Sequence, residues 1–238
     1  MLSDSQIVGS HGGFVEDLHL KGTARYELFD FVTGELPRWR NHSERTSATS
    51  ETVLTSTLCA HLNSAARFSD AWNRIQFLPE EPDETWQGRK IDFAPKPLGA
   101  LIFIEGRRHT LFDKLFPIEC KRLPIPKGND RDEWEYVISR KGSTGGIQRF
   151  KEGHHGAAHE FGGMIGYVQE GSPENWLAQI NNWISELVAQ STNGWDHDDK
   201  LRLLKPNNEN RVSQYSSHHR RPTVGSDIEL RHSWVTMN

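Results

Sequence analysis

The sequence predicts an α/β domain, and three observations carry that expectation. Apolar residues recur at helical spacing near residues 50–67 and 173–190. Short apolar or alternating runs, bounded by Pro, Gly and Asp, lie between them. Two alternating runs near the C-terminus are joined across Pro222 and Gly225. A chain of 238 residues can bury a sizeable core as one large domain with a modest appendage. With 35% hydrophobic residues and 20 glycines, disorder throughout is excluded.

Residues 1–46 hold Gly9, Gly12, Gly13, Gly22 and Gly34 among scattered hydrophobics, with a β-like piece from Tyr26 to Val32, and read as an irregular leader or peripheral hairpin. From Ser47 the pattern changes. Val53, Leu54, Leu58, His61, Leu62 and Ala65 predict a helix over about 50–67, with Ser47, Thr49 and Ser50 available as caps. Arg74–Leu78 and Arg89–Ala94 read as strands of a hairpin around an acidic loop at 79–88. Leu98–Ile104 is a further strand or a buried helix turn, and Phe116–Leu123 is a clear strand. Trp134–Ser139 is a short helix or strand, and Ser143-Thr144-Gly145-Gly146 signals a helix start before Ile147. Met164–Gln169 is a short buried strand. Ser172 then caps a helix with Pro173 at its first position and an apolar face running from Trp176 to Val188. Arg211–Tyr215 and Ile228–Val235 alternate like a closing β-hairpin. The expected division is thus a leader at 1–46, a core at 47–192 and a C-terminal hairpin extension at 193–238, packed on the core.

Basic residues number 28 and acidic residues 32, a net charge of −4, so any nucleic-acid site is a local basic patch rather than a global field. The longest apolar stretch, Leu98–Ile104, is far short of the roughly 20 residues that span a bilayer, so no membrane partner is expected. Asp4, His11, Glu16 and Asp17 interrupt any secretory signal, and two cysteines, Cys59 and Cys120, suit a reducing compartment. A cytoplasmic protein is expected.

The segment richest in chemistry is Ile118-Glu119-Cys120-Lys121. Residues two apart on a strand share a face, so Glu119 and Lys121 project together. Asp92 lies on the expected partner strand, 27 positions earlier. Two carboxylates and an ammonium on adjacent strands form a compact site for a hard divalent cation such as Mg²⁺ or Mn²⁺. Phosphodiester hydrolysis needs this set: Asp92 and Glu119 bind the cation, the Cys120 carbonyl adds a backbone ligand, and Lys121 orients the attacking water. The competing reading of Glu-x-Lys on a strand is a solvated charged face.

The order helix, strand, strand, strand, helix, strand, with Asp92, Glu119-Cys120-Lys121 and Glu51 on the first helix, resembles the PD-(D/E)xK nuclease superfamily of restriction-endonuclease-like fold. That superfamily's proline before the aspartate is absent here, where Ile91 stands. Gly145-Gly146-Ile147-Gln148-Arg149-Phe150, Gly163-Met164-Ile165-Gly166-Tyr167-Val168, Ser217-His218-His219-Arg220 and Ile228-Glu229-Leu230-Arg231-His232 are similar to a bacterial group encoded among anti-phage defence genes. The resemblance covers about 47–236. It implies a mixed sheet of about four core strands flanked by helices, and catalytic roles for Asp92, Glu119, Lys121 and Glu51. It also implies a metal-dependent DNA endonuclease serving as a defence effector, with RNA as a possible substrate. No separate specificity module is recognisable, so a homo-oligomer or a partner protein such as an ATPase would supply targeting. The alternative is a non-catalytic binding or assembly subunit that retains the fold.

Basic clusters occur at Arg89-Lys90, Arg107-Arg108-His109, Lys121-Arg122, Arg140-Lys141 and His218-His219-Arg220-Arg221. Arg89, Lys90, Arg122, Gln148 and Arg149 are the expected phosphate contacts. His154, His155 and His159 offer a His-x-x-x-His spacing that could suit zinc, but Gly153 and Gly156 disfavour the helix that spacing needs. These histidines are expected to line a loop beside the phosphate path, or to be solvated.

Overall fold

The computed structural model describes residues 16–83, 88–125, 132–139, 145–192, 194–221 and 223–238. The Arg140-Lys141 cluster, Ser143-Thr144, the first fifteen residues and the tip of the acidic loop lie outside them. In chain order the elements are β1 (Glu16–Leu20), α1 (Ala24–Arg40), α2 (Glu51–Arg67), β2 (Ile75–Pro82), β3 (Lys90–Pro97), β4 (Ala100–Ile104) and β5 (Arg107–His109). There follow β6 (Ile118–Leu123), α3 (Gly146–Lys151), β7 (Phe161–Val168), α4 (Pro173–Ala189), β8 (Arg202–Lys205), β9 (Val212–His219) and β10 (Ile228–Thr236).

The protein is α/β with mixed sheets. The large sheet has seven strands, in the order β2-β3-β6-β7-β10-β9-β8, and not about four. The difference arises at the C-terminus. The expected hairpin forms between β9 and β10, but β10 also pairs in parallel with β7 from Glu229↔Phe161 to Thr236↔Val168 and carries the sheet onward. β6 and β7 are parallel, while β2, β3 and β6 are antiparallel neighbours. All eight residues of β7 are buried, as a central strand covered on both faces requires. Gly163 lets Phe29 lie against this strand, because a Cβ there would stand 2.6 Å from that ring. β2 runs to Pro82, through residues expected to be loop, and its prolines are tolerated because it is an edge strand. Leu98–Ile104 resolves as strand β4, in a separate sheet ordered β1-β4-β5. Residues 133–137 form turns, neither helix nor strand.

The irregular leader is corrected more substantially. Its residues include the 17-residue helix α1, where Ala24, Leu28, Phe29, Val32, Leu36 and Trp39 are buried in one cluster with Leu54, Leu58 and Leu62 of α2. Gly34, Pro37 and the aromatic and β-branched residues of 26–32 lower helix propensity and mimic a strand. Burial of this face against the sheet outweighs that preference. Pro37 lies within the last turn, where its missing N–H removes one bond of the helix ladder. A second cluster on the other face holds Trp134, Tyr136, Phe150, Ile180, Trp183, Ile184 and Trp234. Among the described residues, no helix is long and apolar enough to cross a membrane.

Leu28→Ala should therefore destabilise the protein by about 2–4 kcal/mol in equilibrium denaturation, as a core truncation does. A loss below about 0.5 kcal/mol, typical of a surface change, would exclude α1 from the core.

Candidate active site

Three elements converge on Lys121. The β3–β6 register pairs Phe93 with Ile118, so its next step sets Asp92 across from Glu119. Lys121 follows two positions later on the same face, and Glu51 opens α2 above it. Lys121 Nζ donates to Glu51 Oε1 and to the Cys120 carbonyl, each at 3.0 Å. It lies 3.8 Å from Glu119 Oε2 and 3.9 Å from Asp92 Oδ2. The Cys120 N–H donates to Asp92 Oδ2 at 2.6 Å, and the Arg122 N–H donates to Glu51 Oε2 at 3.3 Å. The face carrying Glu119 and Lys121 is thus not a solvated one. Their side chains are 0% and 3% exposed, while that of Asp92 is 26% exposed.

Glu119 is held by residues arriving from the far side. Arg149 Nη1 donates to its Oε2 at 2.9 Å. His155 Nδ1 lies 2.6 Å from its Oε1, an ion-pair distance, but the approach does not meet hydrogen-bond geometry, so both atoms remain without a hydrogen-bond partner. Arg149 is placed by α3. Gln148 Oε1 accepts the Gly145 N–H at 3.0 Å at the helix start, and Lys151 Nζ donates to both Asp199 oxygens, at 2.7 and 2.9 Å. Any side chain at Gly145 would collide with the Ile138 backbone. The His155 N–H donates to the Arg149 carbonyl at 3.0 Å, which ties the loop to the helix.

The two strand carboxylates titrate apart. Burial and the neighbouring Glu119 push Asp92 up to about 7, against the opposing pull of Lys121. Burial pushes Glu119 upward too, but His155 and Arg149 outweigh it and hold the carboxyl well below its ordinary range. Lys121 pays desolvation in the opposite sense, yet Asp92, Glu51 and Glu119 raise it well above an ordinary lysine. Its ammonium stays charged at neutral pH and cannot serve as a base.

A cavity of about 180 Å³ opens on the cluster, lined by Glu51, Thr52, Thr55, Ser56, Pro79, Glu80 and Asp92. Among the described residues no three His, Cys, Asp or Glu side chains are arranged to hold a metal ion, because the carboxylates here converge on an ammonium. The donor chemistry nonetheless fits a hard cation. Glu51, Glu80 and Asp92 bring three carboxylates to the cavity wall, and burial, then the neighbouring Glu119, push Asp92 up to about 7.

The expected phosphate contacts are only partly where they were placed. Arg149 is committed to Glu119, and Gln148 caps α3 and donates to Glu152 Oε1 at 2.8 Å, so both have internal roles. Arg122 Nε donates to Gln169 Oε1 at 3.1 Å. Lys90 pairs with Glu80 at 2.6 Å on the exposed rim, and Arg89 is half-buried nearby. Of the histidine loop, Gly153 and Gly156 adopt φ +68° and +65°, which breaks any helix. His155 and His159 are buried and not solvated. Sequence reasoning missed the contact of His155 with Glu119, for which spacing carries no signal. It also missed Thr55 on the cavity wall, which the i, i+4 relation to Glu51 could have suggested.

No protein-family model matches the chain, and no curated protein or solved structure matches it either.

Because Asp92 keeps its proton to about pH 7 when folded but only to about pH 4 when unfolded, ionisation costs folding free energy as pH rises through that window. Without divalent cations, Asp92→Asn should therefore gain about 1–3 kcal/mol at pH 8 relative to its effect at pH 4. Glu119→Gln should instead lose about 3–5 kcal/mol at neutral pH, because Arg149 and His155 lose a buried counter-charge. Denaturant titrations across pH test both, and equal effects of the two substitutions would contradict these opposite environments.

Proposed function

We propose that the chain is a Mg²⁺- or Mn²⁺-dependent nuclease of the PD-(D/E)xK superfamily, hydrolysing phosphodiester bonds of DNA, with RNA as the alternative substrate. The observation that supports this most is the convergence of Glu51, Asp92 and Glu119, from three separate elements, on the Lys121 ammonium beside a cavity. On this reading Asp92, Glu119 and Glu51, with the Cys120 carbonyl, hold the cation. The bound cation would lower the pKa of a water and stabilise charge on the phosphate. Asp92, which burial and Glu119 push up to about 7, would have to be ionised to hold the cation. Lys121 supplies a fixed positive charge that favours the developing anion and orients the attacking water. Arg149 and His155 keep Glu119 ionised.

A restriction-endonuclease-like core accords with Asp92 and the Glu-x-Lys strand on adjacent strands of a mixed sheet flanked by helices. A cytoplasmic location, a homo-oligomer or ATPase partner, and service as a bacterial anti-phage effector belong to the same proposal. A second reading, a non-catalytic nucleic-acid-binding or assembly subunit, draws support from the full burial of Glu119 and its engagement by Arg149 and His155.

Lys121→Ala and Asp92→Asn should each lower cation-dependent cleavage of plasmid or linear DNA by on the order of a thousandfold while the protein stays folded. Cleavage rates at saturating Mg²⁺, beside melting curves, test this. Folded variants that cut as fast as wild type would remove the catalytic assignment, and a wild type inert on DNA and RNA with Mg²⁺ and Mn²⁺ would favour the second reading.

A further inference from the structure

Where the small sheet meets the large one, a cavity of about 330 Å³ is lined by Arg25 of α1, Glu105 and Arg107 of the β4–β5 turn, and His159, Phe161 and Ser226. We propose that this cavity binds the phosphate group of a small phosphorylated metabolite, with Arg25 and Arg107 as its oxyanion contacts. The carboxylate cluster is a separate site.

The two guanidiniums stand out because, among the described residues, the charges buried around the carboxylate cluster and α3 are paired. Glu119, Lys121, Lys151 and Asp199 each meet an opposite charge within 3.0 Å. Among the described residues, neither Arg25 nor Arg107 has a carboxylate within 4.0 Å. Arg25 Nε is buried with no hydrogen-bond partner, and Arg107 makes one long bond, at 3.3 Å, to the Ala158 carbonyl. Beside them His109 is 1% exposed with both ring nitrogens unpartnered. Burial first, then Arg107 and Arg25, hold its pKa down to about 4, which registers a positive potential that Asp113 does not offset. Glu105 and Glu160 also line the hollow, so the attraction for an oxyanion is local to the two guanidiniums, and guanidinium is the side chain best matched to phosphate.

The rim is built before any ligand arrives. Arg221, itself 1% exposed, donates to the carbonyls of Gly156, His159 and Ser226 at 2.9, 2.7 and 2.7 Å and to Ser226 Oγ at 3.1 Å. That clamp fixes the two segments on either side of the hollow, so little ordering is left to oppose binding. Glu105 offers acceptors for hydroxyl groups beside the phosphate. The volume lies at the small end of ligand pockets, which suits a sugar monophosphate and excludes a dinucleotide.

Calorimetric titration of the full chain with ribose 5-phosphate, inorganic phosphate and ribose tests the assignment without any measurement of cleavage. Saturable binding of both phosphates and none of ribose is expected. Arg107→Gln and Arg25→Gln should each weaken binding at least about tenfold, while Arg202→Gln, on a distant exposed ion pair, leaves it unchanged. Arg107 is exposed, so its variant decides the matter should the Arg25 variant fail to fold. The absence of saturable binding at millimolar ribose 5-phosphate, equal binding of ribose, or undiminished binding by Arg107→Gln would overturn the proposal.

Discussion

The carboxylate of Glu119 is wholly removed from water, and much of the architecture follows from keeping it charged there. An isolated buried carboxylate would cost many kcal/mol and would take up a proton instead. Arg149, His155 and the nearby Lys121 ammonium prevent this, and none of them comes from a sequence neighbour except Lys121. Arg149 must therefore be delivered by α3, whose start depends on the absent side chain of Gly145 and whose end is pinned through Lys151 to Asp199.

Asp199 continues that support into the C-terminal strands. His219 Nδ1 lies 2.6 Å from Asp199 Oδ1, His219 Nε2 lies 2.7 Å from Ser217 Oγ, and Ser217 Oγ lies 2.8 Å from His232 Nε2. His232 Nδ1 meets Tyr136 OH at 2.8 Å, and Trp234 Nε1–H donates to that same oxygen at 2.8 Å. Burial and, for His232, the neighbouring His219 hold both imidazoles below their ordinary pKa, so each ring carries one proton near neutrality. The protons then have one consistent placement: Trp234 gives to Tyr136, Tyr136 to His232, His232 to Ser217, Ser217 to His219, and His219 to Asp199. A Ser-His-Asp geometry arises within this chain, but Ser217 and both partners are buried, so its office is to satisfy polar groups and tie β9 and β10 to α3.

The contrast between Glu119 and Asp92 shows how environment separates two like groups on adjacent strands. Glu119 meets Arg149 and His155 on its far side, whereas Asp92 faces carboxylates and shares one ammonium. One carboxylate is thereby permanently ionised and the other poised near neutrality, a division of roles that acid–base and cation chemistry both use. α1 contributes indirectly. By covering one face of the sheet it brings Arg25 to the edge where β4 and β5 turn back, which creates the second, cationic hollow.

Legibility followed the range of the interactions. Helices α2 and α4, strands β3, β6 and β10, and the grouping of Asp92, Glu119 and Lys121 were readable because period and register are local properties, and Glu51 at the head of α2 was reached through family resemblance. α1 was not, since Gly34 and Pro37 argue against a helix until the sheet that buries its apolar face is in place. The seven-strand width depended on β10 choosing β7 as a second neighbour, a pairing 68 residues distant that no local pattern encodes. For the same reason the internal partners of Arg149 and Gln148, whose residue types suit phosphate, are not legible in the sequence. Residue type states what a side chain can do, but only the packing of distant segments decides whether a charge meets water, a ligand or a buried counter-charge.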